Sequence, residues 1–292
     1  MRRPRNIAGM AARMAAFCSP EGFAKGLAYR PDPSDIFISP YAKCGTTWMQ
    51  QIVHGLRSGG DMDFAEITEV VPWLELAHDL GLDLQAPQRA RPHVFKSHLG
   101  WDEIPKGGRY IVVLRDPVDA MLSLYRFLDG WFFEAGSVTL KDFATYYLTR
   151  EGANNYWSHA VSWCEQRDNP DVLLLIFEAM KADLPGTAQR VADFMGGYPE
   201  ERVALATRQA GFEFMKAHAR QFDDNLVRRR RDSACGLPPG GASDKVHAGR
   251  AGAGQSAVTA KIRDRMDARW HRTMGKAFGF ESYQALCDHL RA

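Results

Sequence analysis

The stretch Ile36-Phe37-Ile38-Ser39-Pro40-Tyr41-Ala42-Lys43-Cys44-Gly45-Thr46-Thr47-Trp48 decides the fold. Ile36 to Ser39 make a short apolar strand, and Pro40, which cannot sit inside a core strand, begins a turn. From Thr46 onward Trp48, Met49, Ile52, Val53 and Leu56 fall at helical spacing until Ser58-Gly59-Gly60 ends the run. A strand, a turn carrying Lys43 and Gly45, and a helix opened by two threonines form a phosphate cradle in outline. Backbone N–H groups at a helix start converge on an anion, Lys43 supplies charge, and Thr46 and Thr47 supply further donors. The pattern is not a Walker A loop, which needs four residues between its first glycine and a Gly-Lys pair. Here Lys43 precedes a single glycine.

Three more buried strands follow. His93-Val94-Phe95-Lys96-Ser97-His98-Leu99 is a short strand whose end carries two basic groups, and open parallel sheets bind ligands outside the carboxyl ends of their strands. Arg109-Tyr110-Ile111-Val112-Val113-Leu114 is the clearest buried strand. It runs into Arg115-Asp116-Pro117, where Asp116 can cap a helix and Pro117 suits its first turn. The stripe Val118, Met121, Leu122, Tyr125, Leu128 turns Ser123 away from the core, so Arg115 and Ser123 can reach one anion. Residues 172–177 make the fourth strand, and helices are expected over residues 189–195, 199–210, 258–270 and 283–290.

The 292 residues are 45% hydrophobic and 25% charged with a net charge of +2, an ordinary globular composition. A charge that small does not point to nucleic acid or a membrane surface, so any anion site is local. Five scattered cysteines without a Cys-x-x-Cys pair argue against a disulfide framework or zinc site and for a reducing, cytoplasmic setting. No apolar run reaches the length of a membrane span. Residues 1–28, rich in arginine at their start, read as a loosely packed leader. Residues 29–292 read as one domain, with the Gly/Ala/Pro/Ser-rich stretch 233–256 a flexible loop. The four arginines at 228–231 read as a solvated run.

Taken together in this order, these elements resemble the sulfotransferase family that uses 3′-phosphoadenosine 5′-phosphosulfate (PAPS). Tyr41, Lys43, Gly45, Thr46, Thr47 and Trp48 match the family's 5′-phosphosulfate loop, with Ala42 and Cys44 as departures. Lys96-x-His98 matches its Lys-Thr-His motif, Arg115-x₇-Ser123 resembles its 3′-phosphate element, and Gly249 and Gly252 match part of its nucleotide loop. The resemblance implies a single α/β domain, related to P-loop nucleotide-binding proteins, with a central parallel sheet flanked by helices. It implies transfer of a sulfuryl group from PAPS to the hydroxyl of a small alcohol, phenol or lipid, leaving 3′,5′-adenosine bisphosphate (PAP).

In that reading Lys43 stabilises charge on the departing nucleotide, Lys96 holds the sulfuryl oxygens, and His98 takes the acceptor's proton. An imidazole, ordinarily titrating near ~6.5, is suited to that task at neutral pH. The loop from Lys43 and Cys44 through Gly45, Thr46 and Thr47 holds the phosphosulfate, Trp48 stacks on adenine, and Arg115, Ser123, Gly249 and Arg250 attend the 3′-phosphate. Phe177 and Phe212 pack near the base, while Trp73, Trp131 and Phe132 line the acceptor pocket. A sulfuryl group carries less charge than a phosphoryl group, so no metal is expected. A monomer or a homodimer is compatible with the chain.

Four positions depart from the family pattern in ways that bear on donor binding. Phe177 stands where a tyrosine is usual and Ala210 where a threonine is usual, and His247 and Ala248 replace a basic pair. They keep open a catalytically silent, nucleotide-binding scaffold as an alternative. A P-loop kinase is the other, although the Walker-type loop it needs is missing.

Overall fold

The computed structural model describes residues 1–239 and 258–291. Four strands form one all-parallel sheet in the order β2-β1-β3-β4: β1 (Ile36–Ile38), β2 (Val94–Lys96), β3 (Arg109–Leu114) and β4 (Val172–Ile176). Ile36 lies opposite Val94 on one side and Arg109 on the other, and Tyr110 lies opposite Val172. After β1 the chain pairs β2 on one flank and then β3 on the opposite flank. The carboxyl end of β1 is therefore a topological switch point, the place where an open parallel sheet leaves a crevice.

Both faces of the sheet are covered, which is why its strands are continuously apolar rather than alternating. On one face the rings of Phe37, Phe95 and Tyr110 stack across three strands, with centroids 5.4 and 5.5 Å apart. On the other, Ile36, Ile38, Val94, Ile111 and Val113 meet Met49, Ile52, Val53 and Leu56 of helix α3 (Thr46–Ser58). The helix Pro117–Leu128 starts as its sequence demands, with Asp116 accepting from the N–H groups of Val118 and Asp119 at 2.9 and 3.0 Å. The fold is thus the single α/β domain expected. Strand ends differ by small amounts: β2 is shorter than residues 93–99, and Phe177 opens the helix Phe177–Ala182 instead of closing β4.

Two expectations are corrected. The N-terminal segment is not loose: it folds as α1 (Ile7–Ala15), capped by Asn6, and α2 (Pro20–Leu27), capped by Ser19, with Met10 fully buried. The arginine run is not solvated throughout, because the helix Asn225–Arg231 turns Arg228 and Arg231 inward and leaves Arg229 and Arg230 exposed. The two corrections share one cause. Arg231 donates from Nη2 to the Ala16 carbonyl and from Nε to the Phe17 carbonyl, both at 2.8 Å, and pairs with buried Asp79 at 3.3 Å. A four-residue charge run is solvated only where its helix has no partner, and here the chain just after α1 meets Arg231 while Trp131 lies against Arg228. Among the described residues no helix is long and apolar enough to cross a membrane.

Candidate active site

The anion loop is built mainly by its backbone. Lys43 (φ 69°) and Gly45 (φ 96°) both adopt the left-handed conformation, the pattern that curves successive N–H groups into a concave nest. For Lys43 that conformation costs about 1–2 kcal/mol, a strain that persists where surrounding structure over-determines the backbone. A Cβ at Gly45 would lie 3.0 Å from the Phe177 ring, so a side chain there would press on that ring and strain the backbone as well. No side chain caps α3 behind it, and Thr46 Oγ1 is buried without a hydrogen-bond partner. A helix start with no capping side chain, beside a buried hydroxyl in need of a partner, suits an anion. Cys44 departs from its expected role. Its N–H donates to the Tyr41 carbonyl at 3.0 Å and its buried thiol, pushed up to about 12 by desolvation, faces the core, so it braces the loop from inside.

Around this loop the neighbouring strand ends converge. Arg115, after β3, donates from Nη1 to the Lys43 carbonyl at 2.8 Å and lies 4.2 Å over the Phe177 ring, while its Nε is buried without a hydrogen-bond partner. Trp48 donates from its indole N–H to the Ala210 carbonyl at 2.8 Å and packs edge-on against Phe177. The exchange of threonine for alanine at 210 therefore leaves a backbone contact in place. Ser123, Phe177 and Phe212 line the same cavity.

Lys96 and His98, from the end of β2, lie at the loop's other side. His98 Nδ1 is 2.7 Å from the Pro40 carbonyl. A carbonyl can only accept, so Nδ1 carries the proton and the neutral ring's lone pair is on Nε2. The His98 backbone N–H is held at 2.9 Å by Oε1 of Glu75, a carboxyl buried from water whose pKa is raised by that burial. Lys96 Nζ sits 3.5 Å over the Trp73 ring, and Lys43 Nζ 3.9 Å over the Phe127 ring. Beneath the loop His159 hydrogen-bonds the Ser39 carbonyl at 3.0 Å and is pushed down to about 4 by desolvation, so it is a neutral support.

One cavity of about 1120 Å³ joins these groups. Its far wall is aromatic. Phe17 packs 5.7 Å from Trp73, 6.0 Å from Trp131 and 5.7 Å from Phe132. Trp131 is fixed by a 2.8 Å hydrogen bond to Asp232 and by the Arg228 guanidinium 4.4 Å over its ring.

The structure thus brings Lys43, Gly45, Thr46, Thr47, Trp48, Lys96, His98, Arg115, Ser123, Phe177, Phe212, Trp73, Trp131 and Phe132 to a single cavity. Gly249 and Arg250, with His247 and Ala248, lie outside the described residues. Sequence reasoning missed Phe17, Glu75 and Phe127. The apolar run ending at Phe17 was the available signal for the first, whereas nothing local marks a buried glutamate as a partner of His98. Among the described residues no cluster of His, Cys, Asp or Glu is arranged to hold a metal ion.

The parallel sheet, the switch-point crevice and the nest at Lys43 define an α/β protein built around an anionic nucleotide. The sulfotransferase domain matches residues 33–278, and the chain belongs to the PAPS-dependent sulfotransferase family, enzymes of sulfuryl transfer. It is 29% identical over 227 residues to an amine sulfotransferase of Oryctolagus cuniculus, covering 73% of this chain and 74% of that one. To sulfotransferase 4A1 of Homo sapiens it is 27% identical over 274 residues, covering 90% and 88%. The fold is also similar to that of mouse sulfotransferase SULT7A1, solved with PAP, at a TM-score of 0.69 and 20% identity over 94% of each chain. Retinol dehydratase, solved with androsterone and PAP, matches at a TM-score of 0.68 and 17% identity, covering 90% and 86%.

Proposed function

We propose that the chain transfers a sulfuryl group from PAPS to the hydroxyl of a partly apolar small molecule, with His98 as general base. The observation that carries this reading is the 2.7 Å contact between His98 Nδ1 and Pro40 O. It assigns the lone pair to Nε2, and a base must offer a lone pair to the proton it removes. The residues present suit the donor: the Lys43–Gly45 nest and the buried Thr46 hydroxyl suit its phosphosulfate end, and Arg115 with Ser123 suits its 3′-phosphate. Trp48, Phe177 and Phe212 provide flat surfaces for the base. Lys43 stabilises charge on the departing nucleotide and Lys96 holds the sulfuryl oxygens. As with phosphoryl transfer, positioning and charge stabilisation account for most of the work.

The aromatic wall of Phe17, Trp73, Trp131 and Phe132 favours an alcohol, phenol or lipid acceptor. Solved relatives of similar fold hold androsterone or retinol, which agrees with an apolar pocket. Five free cysteines fit a cytoplasmic setting. The test combines calorimetry with turnover. PAP is expected to bind in preference to AMP and ATP, and His98→Ala to lose at least on the order of 10²-fold in rate with PAP affinity nearly unchanged. Equal affinity for the three nucleotides, or normal turnover in His98→Ala, would overturn the donor or the base assignment respectively.

A further inference from the structure

Residues 72–75 run beside β2 as a strap that hydrogen-bonds residues 96 and 98, while Ser97 between them bonds β1. Lys96 N–H donates to the Pro72 carbonyl at 2.8 Å, Leu74 N–H donates to the Lys96 carbonyl at 2.8 Å, and His98 N–H donates to Glu75 Oε1 at 2.9 Å. Trp73 lies in a parallel bridge with Lys96. The side chains follow that register. Lys96 Nζ is 3.5 Å from the Trp73 ring centroid, and the His98 ring stands at 89° to the indole with centroids 5.0 Å apart. One indole touches both basic groups of the proposed transfer, and its outer neighbour is Phe17 at 5.7 Å.

We propose that Trp73 is a positioning residue for sulfuryl transfer: it holds the Lys96 ammonium beside His98 and restrains the His98 ring, beyond forming acceptor wall. The inference rests on the roles given to Lys96 and His98 above. Lysine is a compact charge on a flexible four-carbon stem. An indole face attracts that charge through its quadrupole and holds it in place without itself accepting an N–H hydrogen bond. The Pro40 carbonyl holds His98 at Nδ1, and the perpendicular indole packs against the same ring. Reacting groups displaced by small amounts lose rate steeply, because oriented reactions depend on near-attack geometry. Trp73 therefore acts on the rate through Lys96 and His98.

The test uses the full chain, PAPS, and whichever member of a panel of phenols, alcohols and amines the wild type turns over. Trp73→Leu keeps an apolar side chain and removes the aromatic face. Its kcat is expected to fall by on the order of tenfold or more, with PAP Kd within about threefold of wild type. Trp73→Phe, which keeps a smaller face, is expected to restore most of the loss. A raised acceptor KM at unchanged kcat, or a Trp73→Phe enzyme as slow as Trp73→Leu, would reduce Trp73 to pocket wall. If the leucine variant does not fold, proton NMR of the wild type decides. The Lys96 ε-methylene protons should be ring-current shifted and should lose part of that shift in Trp73→Phe; unshifted resonances overturn the proposal. A wild type that binds no PAP and sulfates nothing in the panel would instead remove the functional reading itself.

Discussion

The two ends of the cavity are built on different principles. The donor end is centred on one contiguous loop, Tyr41 to Trp48, whose backbone forms the anion nest, with Arg115 and Phe177 packed against it from later strand ends. The acceptor end is assembled from segments distant in sequence: Phe17 behind α1, Trp73 in the strap beside β2, Trp131 and Phe132 after the helix Pro117–Leu128, and Arg228 and Arg231 clamping them from a later helix. A backbone-built site tolerates changes such as Ala42 and Cys44, because its donors do not depend on side-chain identity. A side-chain-built site has no such tolerance and is free to diverge in what it accepts.

The largest expected difference is in rate. Lys43→Ala should lower turnover by about 10² to 10³-fold while acceptor affinity changes little; comparable rates in single-turnover measurements would detach Lys43 from the transfer step.

Acid should undermine the donor end next. His159 beneath the loop and His54 on α3 are each pushed down to about 4 by desolvation, below the ordinary 6.5. Between about pH 6.5 and 4 the unfolded chain binds protons that the folded chain refuses, so stability falls as pH falls, by up to about 3 kcal/mol for each group. Denaturant titrations at pH 7 and pH 4.5 should show the loss, and His159→Gln should reduce it. A pH-independent midpoint across that window would contradict neutral buried imidazoles.

At the other end, Arg231→Ala removes two hydrogen bonds to the chain just after α1 and takes the cation from Asp79, which keeps its hydrogen bond from the Ser19 N–H, a cost of roughly 2–3 kcal/mol. Limited proteolysis should then cut before residue 19 and acceptor KM should rise, with PAP affinity unchanged. Loss of PAP binding in that variant would show that the two ends are not separable. The smallest effect should come from Phe177→Tyr, which adds one hydroxyl beside Arg115. A gain in PAP affinity of a few-fold, worth about 1 kcal/mol, is the expected result, and a loss would place a clash there.

Strand-turn-helix at Ile36 to Trp48, the Asp116 cap with Pro117 behind it, and the β3 run are local patterns, so the parallel sheet and the donor loop were legible before any coordinates. Gly45 is favoured locally too, since its left-handed backbone is one that few residues other than glycine adopt readily. The family order of Lys43, Lys96-x-His98 and Arg115-x₇-Ser123 then joined those local signals into a site. What could not be read locally involves pairs far apart in the chain.

Arg231 looked solvated because its partners, the carbonyls of Ala16 and Phe17, lie more than two hundred residues earlier. Glu75 gave no sign of holding His98, because a backbone N–H leaves no mark on the residue that carries it. Trp73 was legible as a large aromatic but not as the ring beneath Lys96, since that contact follows from the register of residues 72–75 on β2. Sequence alone therefore determined the backbone site and the chemistry of its anion, which depend on torsions and neighbours within a few residues. Tertiary structure decided the acceptor wall and the setting of the base, which depend on surfaces that only folding brings within van der Waals reach.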